Sequence, residues 1–153
     1  MHFTRSIVAV AAMLLAGPAL ALDAEQAEKV NETRQAVLKV VGWNIAPLGA
    51  MAQDRIPWDE ALFARNAQRL AWMTSMIPDA FRADTRAHEL DTESLPVIWE
   101  DYARFETLAA NAQRSAERLA EVAQGDDREA ARAAVGALIE DCRACHDDFR
   151  LDD

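Results

Sequence analysis

Apolar residues recur in this chain at alternating steps of three and four residues, over stretches that are several helical turns long. This spacing places apolar side chains along one face of an α-helix. Four helices are predicted, with boundaries set by capping residues, proline and glycine. They run from about Asp23 into the low fifties, from Asp59 to about Ile77, from Ser94 to just before Gly125, and from about Arg128 to Phe149.

The apolar faces predict how these helices pack. The first carries Leu38, Val41, Ile45 and Leu48, and the fourth carries Ala131, Val135, Leu138, Cys142, Cys145 and Phe149. Alternating steps of three and four are the seam of a left-handed helical bundle. The sequence therefore predicts an all-α fold, an antiparallel up-down four-helix bundle. Residues 82–94 are polar without an apolar period, which predicts a surface loop.

The N-terminal segment has the pattern of an export signal. Arg5 precedes an apolar run that is broken at Gly17-Pro18, and residues 19–21 form a small-x-small cleavage site. An uncleaved membrane anchor is the alternative, although the run is short for a membrane span. The sequence predicts a signal peptide at residues 1–21, a single four-helix-bundle domain at residues 22–153, and a periplasmic location.

The charge balance narrows the range of partners. The chain has 26 acidic and 16 basic residues, a net charge of −10. Loss of residues 1–21 removes one basic residue and no acidic one, so the remainder carries −11. An acidic surface disfavours nucleic acid and anionic membranes as partners. We therefore predict that the domain binds no nucleic acid and does not insert into a membrane after cleavage.

Both cysteines of the chain lie in the segment Cys142-Arg-Ala-Cys145-His146. At about 100° per residue, Cys145 lies at about −60° from Cys142 and His146 at about +40°. The two thiols and the imidazole therefore share one side of the fourth helix, and the cysteines lie on its apolar face.

Four kinds of chemistry could use this segment. Export favours a disulfide, but cysteines three residues apart on a helix are poorly oriented for closure. A thioredoxin-like redox pair requires a preceding strand and a helix N-terminus. Zinc requires further ligands, and His88 is the other histidine outside the signal segment. The fourth is C-x-x-C-H as a haem attachment motif, with two thioethers and an axial histidine. The sequence favours this one over zinc and over a purely structural pair of thiols: one covalently attached haem c, held by Cys142, Cys145 and His146.

A helical bundle with CRACHDDFR on its last helix resembles the class II c-type cytochromes, the cytochrome c′ family. The segment RQAVL resembles the Arg-Gln segment on the first helix of that family, and IWEDYARF resembles a segment of its third helix. The resemblance spans the mature chain. One departure is Asp79, which follows Pro78 where many members of the family have tryptophan.

The resemblance implies roles for further residues. Arg34 and Gln35 would meet the haem propionates, Leu38 would face the distal side of the iron, and Arg150 would lie beside its proximal side. From the residues alone, Arg34 lies one turn before the apolar face of the first helix. It would there bind an anion such as a propionate or extend its head group to solvent.

The sixth iron ligand separates two functions. Low-spin members of the family carry methionine at the position of Leu38, and a leucine side chain has no lone pair. The resemblance therefore implies a five-coordinate haem that transfers electrons with an unknown redox partner and binds nitric oxide or carbon monoxide. The alternative is a low-spin electron carrier with Met73 or Met76 as sixth ligand.

Two further expectations concern catalysis and assembly. A haem enzyme such as a peroxidase needs a distal acid–base group, and none is evident near Leu38, so we predict that the chain is not an enzyme. The resemblance also implies a homodimer through the first and second helices. Trp43, Ile56 and Trp58 would supply an apolar patch for it.

Overall fold

A computed structural model of the chain describes residues 22–151. The predicted signal peptide lies outside the described residues. The described part contains six helices: α1 (Ala24–Ala52), α2 (Glu60–Thr74), α3 (Ile77–Phe81), α4 (Val97–Glu100), α5 (Tyr102–Val122) and α6 (Arg128–Phe149). The four long helices α1, α2, α5 and α6 form the predicted antiparallel bundle, and the all-α fold class is confirmed. No helix in residues 22–151 is long and apolar enough to span a membrane.

Two of the four predicted helices differ from the prediction: the second is slightly shorter and is followed by a further helix, and the third is divided in two. The second ends at Thr74, and a separate short helix, α3, follows with Pro78 in its first turn, where a missing N–H costs nothing. The third is broken at Asp101, whose side chain accepts a hydrogen bond from Arg104 N and caps α5. Ser94 caps neither piece, because α4 follows Pro96 and has no side-chain cap.

The core consists of two clusters at different levels of the bundle. The mid-bundle cluster comprises Val41, Leu48, Met51, Phe63, Ala67, Leu70, Ala112, Ala116, Leu119, Ala131, Val135 and Leu138. The aromatic cluster comprises Phe81, Ile98, Phe105 and Phe149. In the aromatic cluster the ring of Phe105 lies 4.9 Å from that of Phe81 and 5.5 Å from that of Phe149, between centroids.

The buried face of α1 differs from the predicted one. It comprises Ala27, Asn31, Arg34, Val37, Val41, Asn44, Leu48, Gly49 and Met51. Leu38 is 39% exposed and lies beside this face. The prediction of Leu38 as a core residue was wrong because the pattern counted apolar residues only, whereas Asn44 is buried on α1 and donates to Val40 O within the same helix.

Candidate functional site

The cysteines and the histidine of the motif lie on the last two turns of α6. Asp127 caps the start of this helix by accepting hydrogen bonds from Glu129 N and Ala130 N. Cys142 and Cys145 are half-buried and form no disulfide, and His146 is exposed. Cys142 packs against the mid-bundle cluster and Cys145 against the aromatic cluster. The two thiols therefore meet the core at the boundary between its two parts.

The surroundings of the cysteines keep their thiols protonated. Burial raises the pKa of Cys142, and the negative charge of Asp141 adds to the effect. Burial likewise raises the pKa of Cys145 to about 11, with smaller contributions from Cys142 and Asp148. Redox-active cysteine pairs depend on a thiolate of depressed pKa. The electrostatics of the site therefore argue against a thioredoxin-like function.

The surroundings of His146 favour the neutral form of its imidazole, because they lower its pKa. Protein atoms around the ring lower its pKa by desolvation, and the positive charge of Arg150 lowers it further. Asp147 and Glu93 oppose this effect more weakly. Neutral imidazole is the form that binds a metal.

The other uses of the motif find no support in residues 22–151. That part of the chain contains no group of three or more His, Cys, Asp or Glu side chains that could hold a metal ion. His88, which zinc would need, lies with its Nε2 atom 3.0 Å from Leu22 O, just before α1.

The guanidinium of Arg34 is buried and bound to neutral groups. Arg34 is 2% exposed, so the alternative of a head group extended to solvent was wrong. Nε donates to Ala80 O at 2.9 Å, one terminal nitrogen donates to Thr85 Oγ1 at 2.7 Å, and the other donates to Ala83 O. Burial lowers the pKa of Arg34, and the charge of Asp84 opposes this.

Aromatic rings enclose the same guanidinium. Its Cζ atom lies 5.2 Å from the ring centre of Phe81 and 4.9 Å from that of Trp99, within the range of a cation–π contact. A guanidinium has five N–H donors, of which three are used by these neutral acceptors and two remain.

Gln35 binds the loop that joins α3 to α4, residues 82–96. Its Nε2 donates to Asp91 O at 2.8 Å, and Asn31 Nδ2 donates to the same oxygen at 2.9 Å. Together with Arg34, these side chains fix the 82–96 loop on the N-terminal half of α1.

Arg150 is the C-cap residue of α6. Its N donates to His146 O at 3.0 Å, and its Nε donates to Glu93 Oε2 at 2.7 Å. The backbones of Ser94 and Arg150 form an antiparallel bridge. The 82–96 loop is thus bound to α1 on one side and to the end of α6 on the other.

Leu38 lies on the side of α1 that turns toward α6. The two helices approach at Gly49, where an added Cβ would lie 3.7 Å from Ile139 Cδ1. Gly42 lies seven residues before Gly49 on α1, and His146 lies seven residues after Ile139 on α6. Because the two helices are antiparallel, Gly42 and His146 lie at about the same height along the bundle. Leu38 follows one turn beyond Gly42. A Cβ on Gly42 would meet no atom within 4 Å, so this side of α1 is open.

The candidate methionine ligands lie on or just beyond α2. Met73 packs against the mid-bundle cluster, and Met76 is exposed between α2 and α3. The helix α2 packs against α1 and α5, and α6 packs against α5 and α1, so α2 and α6 are diagonal in the bundle. The sulfur of Met51 accepts a hydrogen bond from Asp59 N at 3.2 Å, where α1 leads into α2.

Comparison with known proteins places this site in a family. The profile of the family described as cytochrome c′ matches residues 29–150. The chain belongs to the cytochrome c′ family. A cytochrome c′ of Halomonas halodenitrificans is 37% identical over 78% of this chain and 93% of its own length. The solved cytochrome c′ of Shewanella frigidimarina superimposes with a TM-score of 0.77 at 30% identity, over 81% and 95% of the two chains.

A third similarity is to a ligand complex. A ferrous variant of cytochrome c′ from Alcaligenes xylosoxidans, solved with bound nitric oxide, superimposes with a TM-score of 0.72 at 26% identity, over 84% of this chain and 96% of that one. Cytochromes c′ bind haem c covalently, and this chain has the two cysteines that such attachment requires, Cys142 and Cys145. The predicted cofactor is confirmed.

The described residues fit this cofactor. Two unpaired thiols and a neutral imidazole share the last turns of α6. On the facing side of α1, Leu38 is partly exposed, and a Cβ added to Gly42 would meet no other atom within 4 Å. When bound, a haem supplies an iron centre that changes oxidation state and accepts small ligands.

Several residues around the site were missed by the sequence analysis. Glu93 pairs with Arg150, Thr85 binds Arg34, and Trp99 covers Arg34 and donates to Phe81 O at 3.0 Å. Trp99 lies in the segment IWEDYARF, where no role was assigned to it, and Glu93 and Thr85 belong to no motif. Their contacts join segments that are distant in sequence. Only the position of the polar 82–94 segment before the third helix indicated that a loop lies here.

Proposed function

We propose that Cys142 and Cys145 form thioethers with the two vinyl groups of one haem and that His146 binds its iron on the proximal side. The observation that carries this proposal is the placement of two cysteines that form no disulfide and one histidine together on the last two turns of α6. A structural thiol pair would not require the histidine, and zinc would require more ligands than this stretch offers.

The distal side is proposed to be apolar. Leu38 stands on the α1 side that turns toward α6, and its side chain offers no lone pair to iron and no hydrogen bond to a bound ligand. Met73 and Met76 lie on the helix diagonal to α6 or just beyond it, which favours a five-coordinate iron over a methionine-ligated one. The low-spin electron carrier remains the second candidate.

Such a haem would transfer electrons and bind nitric oxide or carbon monoxide. The Alcaligenes xylosoxidans relative described above binds nitric oxide in its ferrous form. An apolar distal side suits small, weakly polar ligands. It lacks the acid–base group that peroxide cleavage would need, so we propose a carrier and ligand-binding protein and not an enzyme.

Three polar residues are proposed to border the haem. Arg34 has two N–H donors beyond the three bound to Ala80, Ala83 and Thr85, and Gln35 follows it on α1, so we propose that both meet the propionates. Arg150 brings a positive charge close to His146. These positions follow the pattern of the family.

Export is proposed from residues 1–21, with the mature domain in the periplasm. The acidic surface of the chain suits a redox partner with a basic or neutral docking surface. We propose no nucleic-acid partner and no membrane insertion of the mature domain.

Assembly as a homodimer through α1 and α2 is also proposed. Trp43 on α1 is 69% exposed, and Trp72 on α2, which the sequence analysis did not include, is 64% exposed. Ile56 is exposed as expected. Trp58 is not part of this patch, because it is half-buried and stacks on Phe63 with ring centres 4.6 Å apart.

Absorption spectroscopy of the purified protein tests the proposal. The pyridine haemochrome should show the bands of a haem with both vinyl groups saturated. The ferrous protein should show the broad bands of a high-spin five-coordinate haem and should change on addition of carbon monoxide. Sharp low-spin bands that do not change on addition of carbon monoxide would favour the methionine-ligated carrier. Absence of haem from the purified protein would refute the proposal.

A further inference from the structure

The end of α6 is held by a short clasp to the 82–96 loop. Leu95 N donates to Phe149 O at 3.0 Å, and Leu151 N donates to Glu93 O at 2.8 Å. The last carbonyls of a helix have no partner within the helix, and the first of these bonds satisfies one of them. Helix ends that are not held in this way fray.

Glu93 adds a side-chain contact to this clasp. Its Oε2 accepts from Arg150 Nε at 2.7 Å, and Arg150 N donates to His146 O at 3.0 Å. The ion pair thus fixes the residue that caps the turn bearing His146. It also fixes where the positive charge of Arg150 lies relative to the imidazole.

The opposite side of the same turn is held by a second ion pair. Arg104 on α5 donates to Asp148 Oδ2 at 2.9 Å through Nε and at 2.5 Å through a terminal nitrogen. This pair also fastens the end of α6, but it places no charge from outside the helix beside His146. It therefore offers a matched control for the effect of anchoring alone.

We infer that Glu93 is a positioning residue for the haem: through Arg150 and the clasp it sets the orientation of His146 on the iron. This inference rests on the proposed function, in which His146 is the proximal ligand. Glu93 does not contact the iron or its ligand, and acts through Arg150. The 82–96 loop on which it stands is itself fixed to α1 by the buried Arg34, so the position of Glu93 is defined by the fold.

The test compares Glu93→Gln with Asp148→Asn in the haem-loaded protein. Each change removes one negative charge and one ion pair at the end of α6. The iron–histidine stretching band of the ferrous protein, measured by resonance Raman spectroscopy, reports on His146, and amide hydrogen exchange of Leu95 and Leu151 reports on the clasp. Glu93→Gln should shift the stretching band and speed exchange of both amides by up to about fivefold, the most that a surface ion pair contributes. Glu93→Asp should restore part of both effects.

In Asp148→Asn the stretching band should stay at the wild-type frequency. A band that Glu93→Gln leaves unmoved, or that both variants shift equally, would overturn the inference and leave Glu93 as an anchor only. Failure of the proposed function has a different signature, the absence of attached haem from the wild-type protein.

Discussion

Cys142 and Cys145 are one turn apart on α6, yet Cys142 packs against the mid-bundle cluster and Cys145 packs against the aromatic cluster. A group bound to both sulfurs would therefore lie against α6 where the two clusters meet. Leu38 and Gly42 on α1 border the same region. This relationship joins the motif to the fold.

Replacing Leu38 by methionine should give the iron a sixth ligand. The two side chains are similar in volume, and methionine adds a thioether sulfur. The ferrous spectrum of Leu38→Met should change from high-spin to sharp low-spin bands, and carbon monoxide binding should weaken because the ligand site is occupied. Leu38→Ile is the control that keeps an apolar side chain. A Leu38→Met spectrum identical to that of wild type would show that residue 38 does not face the iron.

Replacing Leu38 by alanine should open the distal side to ligands. Carbon monoxide affinity should rise by about tenfold for each 1.4 kcal/mol of steric cost removed, as measured by titration of the ferrous protein. Because Leu38 is 39% exposed in the structure, the loss in stability should be about 1 kcal/mol or less, below the range for a fully buried leucine. Unchanged affinity would count against a distal Leu38.

Arg34→Ala should destabilise the bundle strongly. The change removes a side chain that is 2% exposed and leaves Ala80 O, Ala83 O and Thr85 Oγ1 without their donor. We expect a loss of about 3 kcal/mol, measured by urea unfolding followed by circular dichroism. Lys39→Ala, at an exposed position of the same helix, should change stability by about 0.5 kcal/mol or less. Similar values for the two variants would mean that Arg34 does not hold the 82–96 loop.

Asp54 should keep its charge to lower pH than an ordinary aspartate. A hydrogen bond from Arg132 lowers the pKa of its carboxyl, so its contribution to stability is present above the unfolded-state pKa and is lost as the pH falls through the lower folded-state pKa. Asp54 has a φ of +55°, a conformation that asparagine also tolerates. Asp54→Asn should therefore remove this acid dependence without backbone strain. A titration of Asp54 by NMR that gives an ordinary pKa would refute the contact.

Homodimer formation should depend on the exposed tryptophans. Trp43→Glu should place a charge in the apolar face formed by α1 and α2 and should yield a monomer. Sedimentation equilibrium at micromolar concentration distinguishes the two states. Ile56→Glu serves as a test of how far the interface extends. A wild-type protein that is already a monomer would contradict the proposed assembly.

The parts of the fold that follow a regular helical period could be predicted from the sequence. The buried face of α6, with Val135, Leu138 and Phe149, agrees with the predicted one because each position is apolar and no polar residue is buried there. The buried face of α1 differs from the predicted one at Leu38. Polar residues are buried on this helix, and one of them, Arg34, binds acceptors elsewhere in the fold. No local pattern reveals such partners.

The candidate site likewise has a part that could be predicted from the sequence and a part that could not. Cys142, Cys145 and His146 form a local motif whose geometry follows from one helix, so their common placement could be predicted. The carbonyl groups that bind Arg34 come from residues about fifty positions away, and Glu93 reaches Arg150 from a loop without periodicity. These contacts depend on tertiary packing, which the sequence pattern does not specify.

Covalent attachment of haem through Cys142 and Cys145 is the central claim, and the mass of the intact denatured protein tests it most directly. The wild-type polypeptide, after extraction with acidified acetone, should retain the added mass of one haem. The double variant Cys142→Ser with Cys145→Ser should carry none, and each single variant should retain haem through one remaining thioether. A wild-type chain that has the mass of the bare polypeptide after extraction, while the purified protein contains haem, would contradict the account.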